Sequence, residues 1–353
     1  MSESGELRLQ RLVAQRLAGP AWAEPAEAVR HLGAVQAQDL PGALTSVALR
    51  TTGRRAAQVR DALNRGEIVR TWPMRGTLHL VPAEDAGWMT ALTGRRVTAG
   101  IRRRLQEVGI EEVSVARAEE VAAEVLAAAE SVSRAQLIGA WEAEGLVPHR
   151  QSGIHLLGLL CRHGELALGP MDGKDQHVVR YRQWVPSPRH LAPQEALREW
   201  VRRYVQGHGP VTAPDAARWL GLPLGQVRTA LAELDGELDQ VEFSGQVHFR
   251  APGLVDLVED YRTEARRLML LPGFDEYMLG YADRTFAVPT AHQDRIVPGG
   301  NGMFRATIIK AGRVIGVWRR AGSGARARIA PEPFTSLGPR DAASVQRAFE
   351  RLP

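Results

Sequence analysis

Three times along the chain, apolar residues spaced three and four apart give way to short runs in which apolar and polar residues alternate. The first spacing belongs to a helix with one buried face, the second to a half-buried strand. The third occurrence is the clearest. Thr212 stands where a helix cap belongs, Pro214 falls in the first turn and Asp215 completes a capping box. DAARWL stops at Gly221, and Leu222 and Pro223 turn the chain. Val227, Ala230, Leu231 and Leu234 then share one helical face, and LDQVEF and QVHFR flank a hairpin turn at Ser244–Gly245.

The second occurrence spans about residues 113–185. Ser133 caps a helix with Gln136 in the capping-box position; that helix ends at Gly145, and another runs from about 151 to 162. GELALGP and QHVVRYRQWV then form a hairpin around MDGKD. The first occurrence is longer, with helices near 7–17, 26–35, 43–49 and 56–63 before strands near 67–72 and 77–81. Helix–turn–helix plus hairpin is the winged-helix pattern. The expected fold is therefore mainly α with β: three tandem winged-helix units at 1–110, 111–186 and 187–253. Residues 186–193, PSPRHLAP, read as a linker. Beyond Pro252 strands dominate, in RRLMLLPGFDEYMLGY and RATIIKAGRVIGVWRR, so 254–353 is expected to form a small β-barrel-like domain.

Composition narrows the class. No run of about 18 apolar residues occurs, so no membrane span is expected. The first residues, MSESGELRLQRLVAQRL, hold no signal-peptide core. A single cysteine, Cys161, excludes an internal disulfide and a cysteine-built metal cluster, and fits a reducing cytoplasm. The net charge is +5, and with only two lysines, Lys174 and Lys310, 43 of the 45 basic side chains are arginine. Arginine forks suit phosphate and guanine edges. An arginine-biased surface in an alanine-rich chain accounts for the charge equally well, and composition does not separate the two readings.

No phosphate-binding GxxxxGK[ST] loop, HExxH or CxxC is present, and GGNG at 299–302 precedes a strand rather than a helix. No metal or cofactor is expected. His79 has no second ligand at zinc spacing, and His149, His155 and His163 read as structural or solvated. Asp275 and Glu276, within FDEY, are a weak candidate for a metal site or a base.

Two segments carry candidate chemistry. GAVQAQDLP, residues 33–41, sets Gln36 and Gln38 two apart at the end of a helix whose buried face is Val29, Leu32 and Val35. Pro41 disfavours helix at Leu40, so the backbone near Gln38 is expected to leave the helix. In extended chain, residues i and i+2 point the same way; in a helix they diverge by about 200°. A converging pair of amides can hold and aim one water, but is no strong base. The plainer reading is two polar residues at a helix end. TWPMRGTLHLV, residues 71–81, makes a hairpin on which Arg70, Trp72, Arg75, Thr77 and His79 could meet DNA, with Trp72 equally suited to a core.

Four stretches together resemble the AlkZ/YcaQ family of winged-helix DNA glycosylases: QAQ at 36–38, RGTLHLV at 75–81, LPGFDEYMLGYADR at 271–284 and PGGNGMFRATIIKAGRVIGVW at 298–318. The likeness covers nearly the whole chain. Gln–apolar–Gln is the motif of the AlkZ branch, and Ala37 fills its middle place. The resemblance implies three winged helices and a C-terminal β-barrel around a basic channel. It also implies excision of N7-alkylguanine, with interstrand crosslinks unhooked by some members. The catalytic pair carries over to Gln36 and Gln38, and the lesion-side hairpin to about 70–79.

Neutral amides suit that chemistry. An alkylated purine is already cationic, so the protein needs only to place water near C1′ and stabilise an oxocarbenium-like state. Asp39 could stabilise the sugar cation, or cap the helix that follows Pro41. The expected partner is double-stranded DNA bearing alkylated purines, met by a monomer in the cytoplasm at the nucleoid. A non-enzymatic winged-helix DNA-binding regulator, dimeric and operator-specific, is the alternative.

Overall fold

Capping boxes and tight turns place most elements where the pattern puts them. The computed structural model describes residues 2–93, 99–149, 151–322 and 324–353. Half of the chain is helical and a fifth lies in strands. Helix, helix and hairpin recur three times: 40–48, 56–64 and 68–82; 134–143, 152–163 and 166–180; 213–220, 224–233 and 239–250. The contacts divide the chain into two compact units, residues 60–196 and residues 1–59 with 197–353.

In the unit of residues 60–196, two antiparallel hairpins, Ile68–Met74 with Thr77–Pro82 and Leu166–Asp172 with Asp175–Arg180, join edge to edge where Arg70 faces Leu168. The capping box of helix Arg134–Ala143 forms: the Gln136 amide donates to Ser133 Oγ at 3.2 Å, and the Ser133 amide to Gln136 Oε1 at 2.8 Å. Helices Glu112–Ala127, Arg134–Ala143 and Ser152–His163 close over the hairpins. Their core holds Trp72, Trp141, Leu156, Leu160, Leu166 and Val178. Trp141 is wholly buried and its indole N–H donates to Ala118 O at 2.8 Å, so the one polar atom it brings inside is satisfied.

In the other unit, helix Glu3–Ala14 packs along Leu254–Ala265. Helix Ala213–Leu220 starts at the Thr212/Asp215 capping box and stops at Gly221 in the left-handed conformation. The hairpin Asp239–Phe243/Gln246–Arg250 turns through Ser244 and Gly245 at φ +50° and +75°, the primed turn that matches strand twist. The centre of this unit is aromatic. Trp200, Trp219, Tyr204, Tyr277 and Tyr281 are wholly buried, and the Arg11 guanidinium lies 3.9 Å above the Tyr281 ring.

The last strands depart from expectation. Leu268–Leu271, Thr307–Lys310, Arg313–Ala321 and Arg328–Pro333 form an antiparallel sheet in that order, with no pairing among the described residues between the first and the last. It is an open sheet rather than a barrel. Four strands, one of them four residues long, are too few to close around a packed interior. Helix Pro339–Glu350 covers one face instead, through Val345 and Phe349 against Leu270, Ile308 and Trp318. No helix among the described residues is long and apolar enough to cross a membrane.

Candidate active site

The glutamine segment lies between two short helices. Pro25–Leu32 begins with a capping box between Glu24 and Glu27 and ends at Gly33, whose φ of +80° a side chain would resist. The helix is thus three residues shorter than its periodicity predicts, and Val35 is buried from extended chain instead of from a helical face. Val35 and Gln36 are strand residues, so the unwinding that the glutamine spacing requires has occurred. Ala37 is wholly buried; Gln36 is 7% exposed, while Gln38 is open to solvent.

The next helix, Leu40–Ala48, starts earlier than expected, with Pro41 inside its first turn. Asp39 occupies the N-cap position, but its carboxylate accepts no cap hydrogen bond. It bends over Gly42, where a Cβ would stand 2.5 Å from Asp39 Oδ2 and 3.3 Å from the Gly273 carbonyl oxygen. Glycine at 42 is what leaves room for that carboxylate.

What holds the segment comes from far along the chain. The amide of Gln36 donates to Glu276 Oε1 at 3.1 Å. Oε2 of the same carboxylate accepts from the indole N–H of Trp219 at 2.8 Å and lies 3.4 Å from His208 Nε2. Glu276 is wholly buried. A buried carboxylate with both oxygens engaged is a structural anchor, not a general base.

Asp275 serves a parallel purpose. Arg50 grips it bidentately, at 2.9 Å to Oδ2 and 3.0 Å to Oδ1, while Ser46 Oγ donates to Oδ2 at 2.6 Å and the Tyr277 amide to Oδ1 at 2.9 Å. The remaining Arg50 donors reach Gln15 O at 3.0 Å, Gln15 Oε1 at 2.8 Å and Ser46 O at 2.8 Å. Gln15 Nε2 in turn donates to the Tyr281 hydroxyl, which donates to His208 O. Burial pushes the Tyr277 and Tyr281 hydroxyls well above the usual phenol range, so they act as neutral donors. The metal or base reading of Asp275–Glu276 therefore fails: both carboxylates are consumed in bracing the glutamine segment and helix 40–48. Among the described residues no group of three or more His, Cys, Asp or Glu is placed to hold a metal ion.

The predicted hairpin residues divide by depth within their own unit. Trp72 is a core residue beside Leu78 and Trp141. Arg70 is buried and donates to Gln176 Oε1 at 3.0 Å. His79 is wholly buried, its Nδ1 2.9 Å from Thr77 O and its Nε2 3.0 Å from an Arg75 guanidinium nitrogen. Only the tip, Arg75 to Thr77, keeps solvent access, and Arg75 holds the turn at φ +54°. Three of the five side chains assigned to DNA contact are thus interior groups that shape the hairpin. Ile68–Met74 is buried at every position and Thr77–Pro82 at all but the first, so both faces of the hairpin are covered. Residues missed from sequence are Ser46, Arg50, His208 and Trp219. Nothing near them in the chain signals a site, since their partners lie 57 to 229 positions away.

Comparison with known proteins gives the family. Residues 29–353 match the family described as DNA glycosylase AlkZ-like. The chain is 28% identical, over 93% of its length and 92% of the other's, to an interstrand DNA cross-link repair glycosylase from Streptomyces sahachiroi. It also superposes on the solved structure of the Streptomyces sahachiroi DNA glycosylase AlkZ with a TM-score of 0.77 and 25% identity, covering 98% of this chain and 95% of that one. The family match spans the glutamine segment, the hairpin and the buried Asp275–Glu276 brace, and by it this chain belongs to the AlkZ-like DNA glycosylases, enzymes that hydrolyse the N-glycosidic bond in DNA repair.

Proposed function

We propose that this enzyme is a monofunctional DNA glycosylase for cationic N-alkylpurines, N7-alkylguanine foremost, with water aimed by Gln36 and Gln38. The observation that carries the reading is the unwound segment itself: Gln36 is extended, its neighbour Ala37 is buried, and its amide is tied to Glu276. Preorganised amides lower a barrier only if their backbone does not move, and the anchor supplies that rigidity. Neutral amides cannot protonate a leaving base, which favours lesions that already carry positive charge. Because the Streptomyces sahachiroi relative is named for interstrand cross-link repair, crosslinked guanines belong within the proposed substrate class.

The three helix–helix–hairpin successions are proposed as tandem winged helices, at 1–110, 111–186 and 187–253, followed by the C-terminal β segment 254–353. The protein is proposed to act on duplex DNA as a monomer, in the cytoplasm at the nucleoid. On the hairpin, Arg75 and Thr77 are the residues proposed to touch the duplex, since they retain solvent access. The test is incubation of the purified protein with a duplex carrying a single 7-methylguanine. Free base released with the strand left intact supports the reading. Strand cleavage, or no base at all, overturns it.

A further inference from the structure

A cavity of about 590 Å³ in the unit of residues 1–59 and 197–353 concentrates the chain's positive charge. Six cations line it: Arg54, Arg266, Arg267, Lys310, Arg347 and Arg351. Only two carboxylates, Glu264 and Asp341, stand among them. The lining therefore carries a formal excess of four positive charges, against +5 for all 353 residues. The rest of the molecule is balanced to within one charge, so the basic character of this protein is local.

Neither carboxylate is spare. Glu264 Oε2 accepts the Gly19 amide at 3.3 Å, and Asp341 takes the Lys310 ammonium on both oxygens, at 2.8 and 2.9 Å. Arg347 reaches only the hydroxyl of Ser344, at 2.9 Å. No described carboxylate forms an ion pair with Arg54, Arg267 or Arg351. Burial lowers the pKa of Arg54, with Glu264 raising it and the nearby charge of Arg351 lowering it further. Leu17, Leu49, Leu268 and Leu271 form its apolar wall, while all six cations are exposed and so open to an incoming ligand. Several guanidinium forks around one hollow suit the oxygens of a phosphate group.

We propose that this cavity is a phosphate-binding site, which grips a backbone phosphodiester of the DNA substrate. It rests on the glycosylase reading for its ligand. Gln36 and Gln38 are not among its lining residues, so it would add affinity and register rather than chemistry.

The test uses the full chain and the variant Arg267→Gln/Arg351→Gln, with Arg54→Gln as a second, independent variant and thermal unfolding to confirm that each folds. Duplex affinity is measured against salt, and pyrophosphate binding by calorimetry. Each phosphate contact contributes about −0.9 to the slope of log K against log salt, so loss of one should make the slope shallower by about that amount. A shallower slope in both variants, together with lost pyrophosphate binding, supports the site. An unchanged slope with lost pyrophosphate binding overturns the DNA assignment in favour of a free phosphate compound. No change in either overturns the site altogether. Wild-type protein that binds no duplex would instead overturn the proposed function, so the two failures are distinguishable.

Discussion

The amide of Gln36 donates to Glu276 Oε1 at 3.1 Å, across 240 positions of the chain. The carboxylate also takes the indole N–H of Trp219 and lies beside His208, so one buried side chain ties the glutamine segment to the aromatic centre of its unit. Glu276→Ala would leave these groups facing an empty, apolar space, at a cost of roughly 3–5 kcal/mol. Glu276→Gln keeps the shape but turns an amide NH₂ toward one of the donors, and should cost about 1–3 kcal/mol. Denaturant unfolding measures both. An alanine variant as stable as wild type would show that the anchor carries no structural weight.

The glutamines are expected to act on the transition state more than on binding. Gln36→Ala or Gln38→Ala should slow base release about 100-fold under single-turnover conditions while duplex affinity changes little. Wild-type excision rates in both single variants would rule out aimed water.

Lesion charge should govern selectivity. 7-Methylguanine and 3-methyladenine weaken their own glycosidic bonds; hypoxanthine and uracil do not. Side-by-side time courses on one duplex carrying each lesion in turn should show release of the first two alone. Efficient release of hypoxanthine would require an acid, and neither Asp275 nor Glu276 has a free oxygen to supply one.

His31 should make stability fall in mild acid. Its Nε2 lies 2.6 Å from Ala14 O, and burial above all, with Arg16 and Arg50 adding like charge, lowers its pKa to about 4. An unfolded histidine titrates near 6.5. Between these values the unfolded chain takes up a proton that the folded protein refuses. The His31 contribution is therefore intact above about pH 6.5 and is lost progressively down to about pH 4, by at most about 3 kcal/mol. His31→Gln keeps a donor without the titration. It should flatten the dependence of unfolding free energy on pH in that window, leaving the slope from His155 and His248, whose pKa values burial also depresses. Identical pH profiles for the variant and wild type would exclude His31 as the source.

Local features were legible in the chain because their partners lie within a few residues. The Thr212/Asp215 and Ser133/Gln136 boxes span three positions, and the turn at Ser244–Gly245 needs only two residues at positive φ. Helix periodicity likewise reports one buried face, whatever lies against it. The QAQ motif marked the candidate site by its family likeness, but Pro41 does not keep Leu40 out of a helix: Leu40 opens the helix Leu40–Ala48 with Pro41 in its first turn, and Gly33 is what ends the helix before it.

Tertiary structure decided what each of those residues does. Gly33 ended the helix Pro25–Leu32 early because its left-handed backbone there packs beside Trp200 and Trp219, which enter from the distant helices 193–208 and 213–220. Trp72, Arg70 and His79 turned inward because neighbouring helices and strands covered their faces, and periodicity marks a face without naming its cover. The same limit left the closing strands as an open sheet, since pairing at an edge depends on residues elsewhere. Asp275 and Glu276 read in the chain as two adjacent acids with chemistry to offer. Burial against Arg50 and the Gln36 amide made them anchors, because a carboxylate removed from water must be fully paired, and only the folded chain brings those donors within reach.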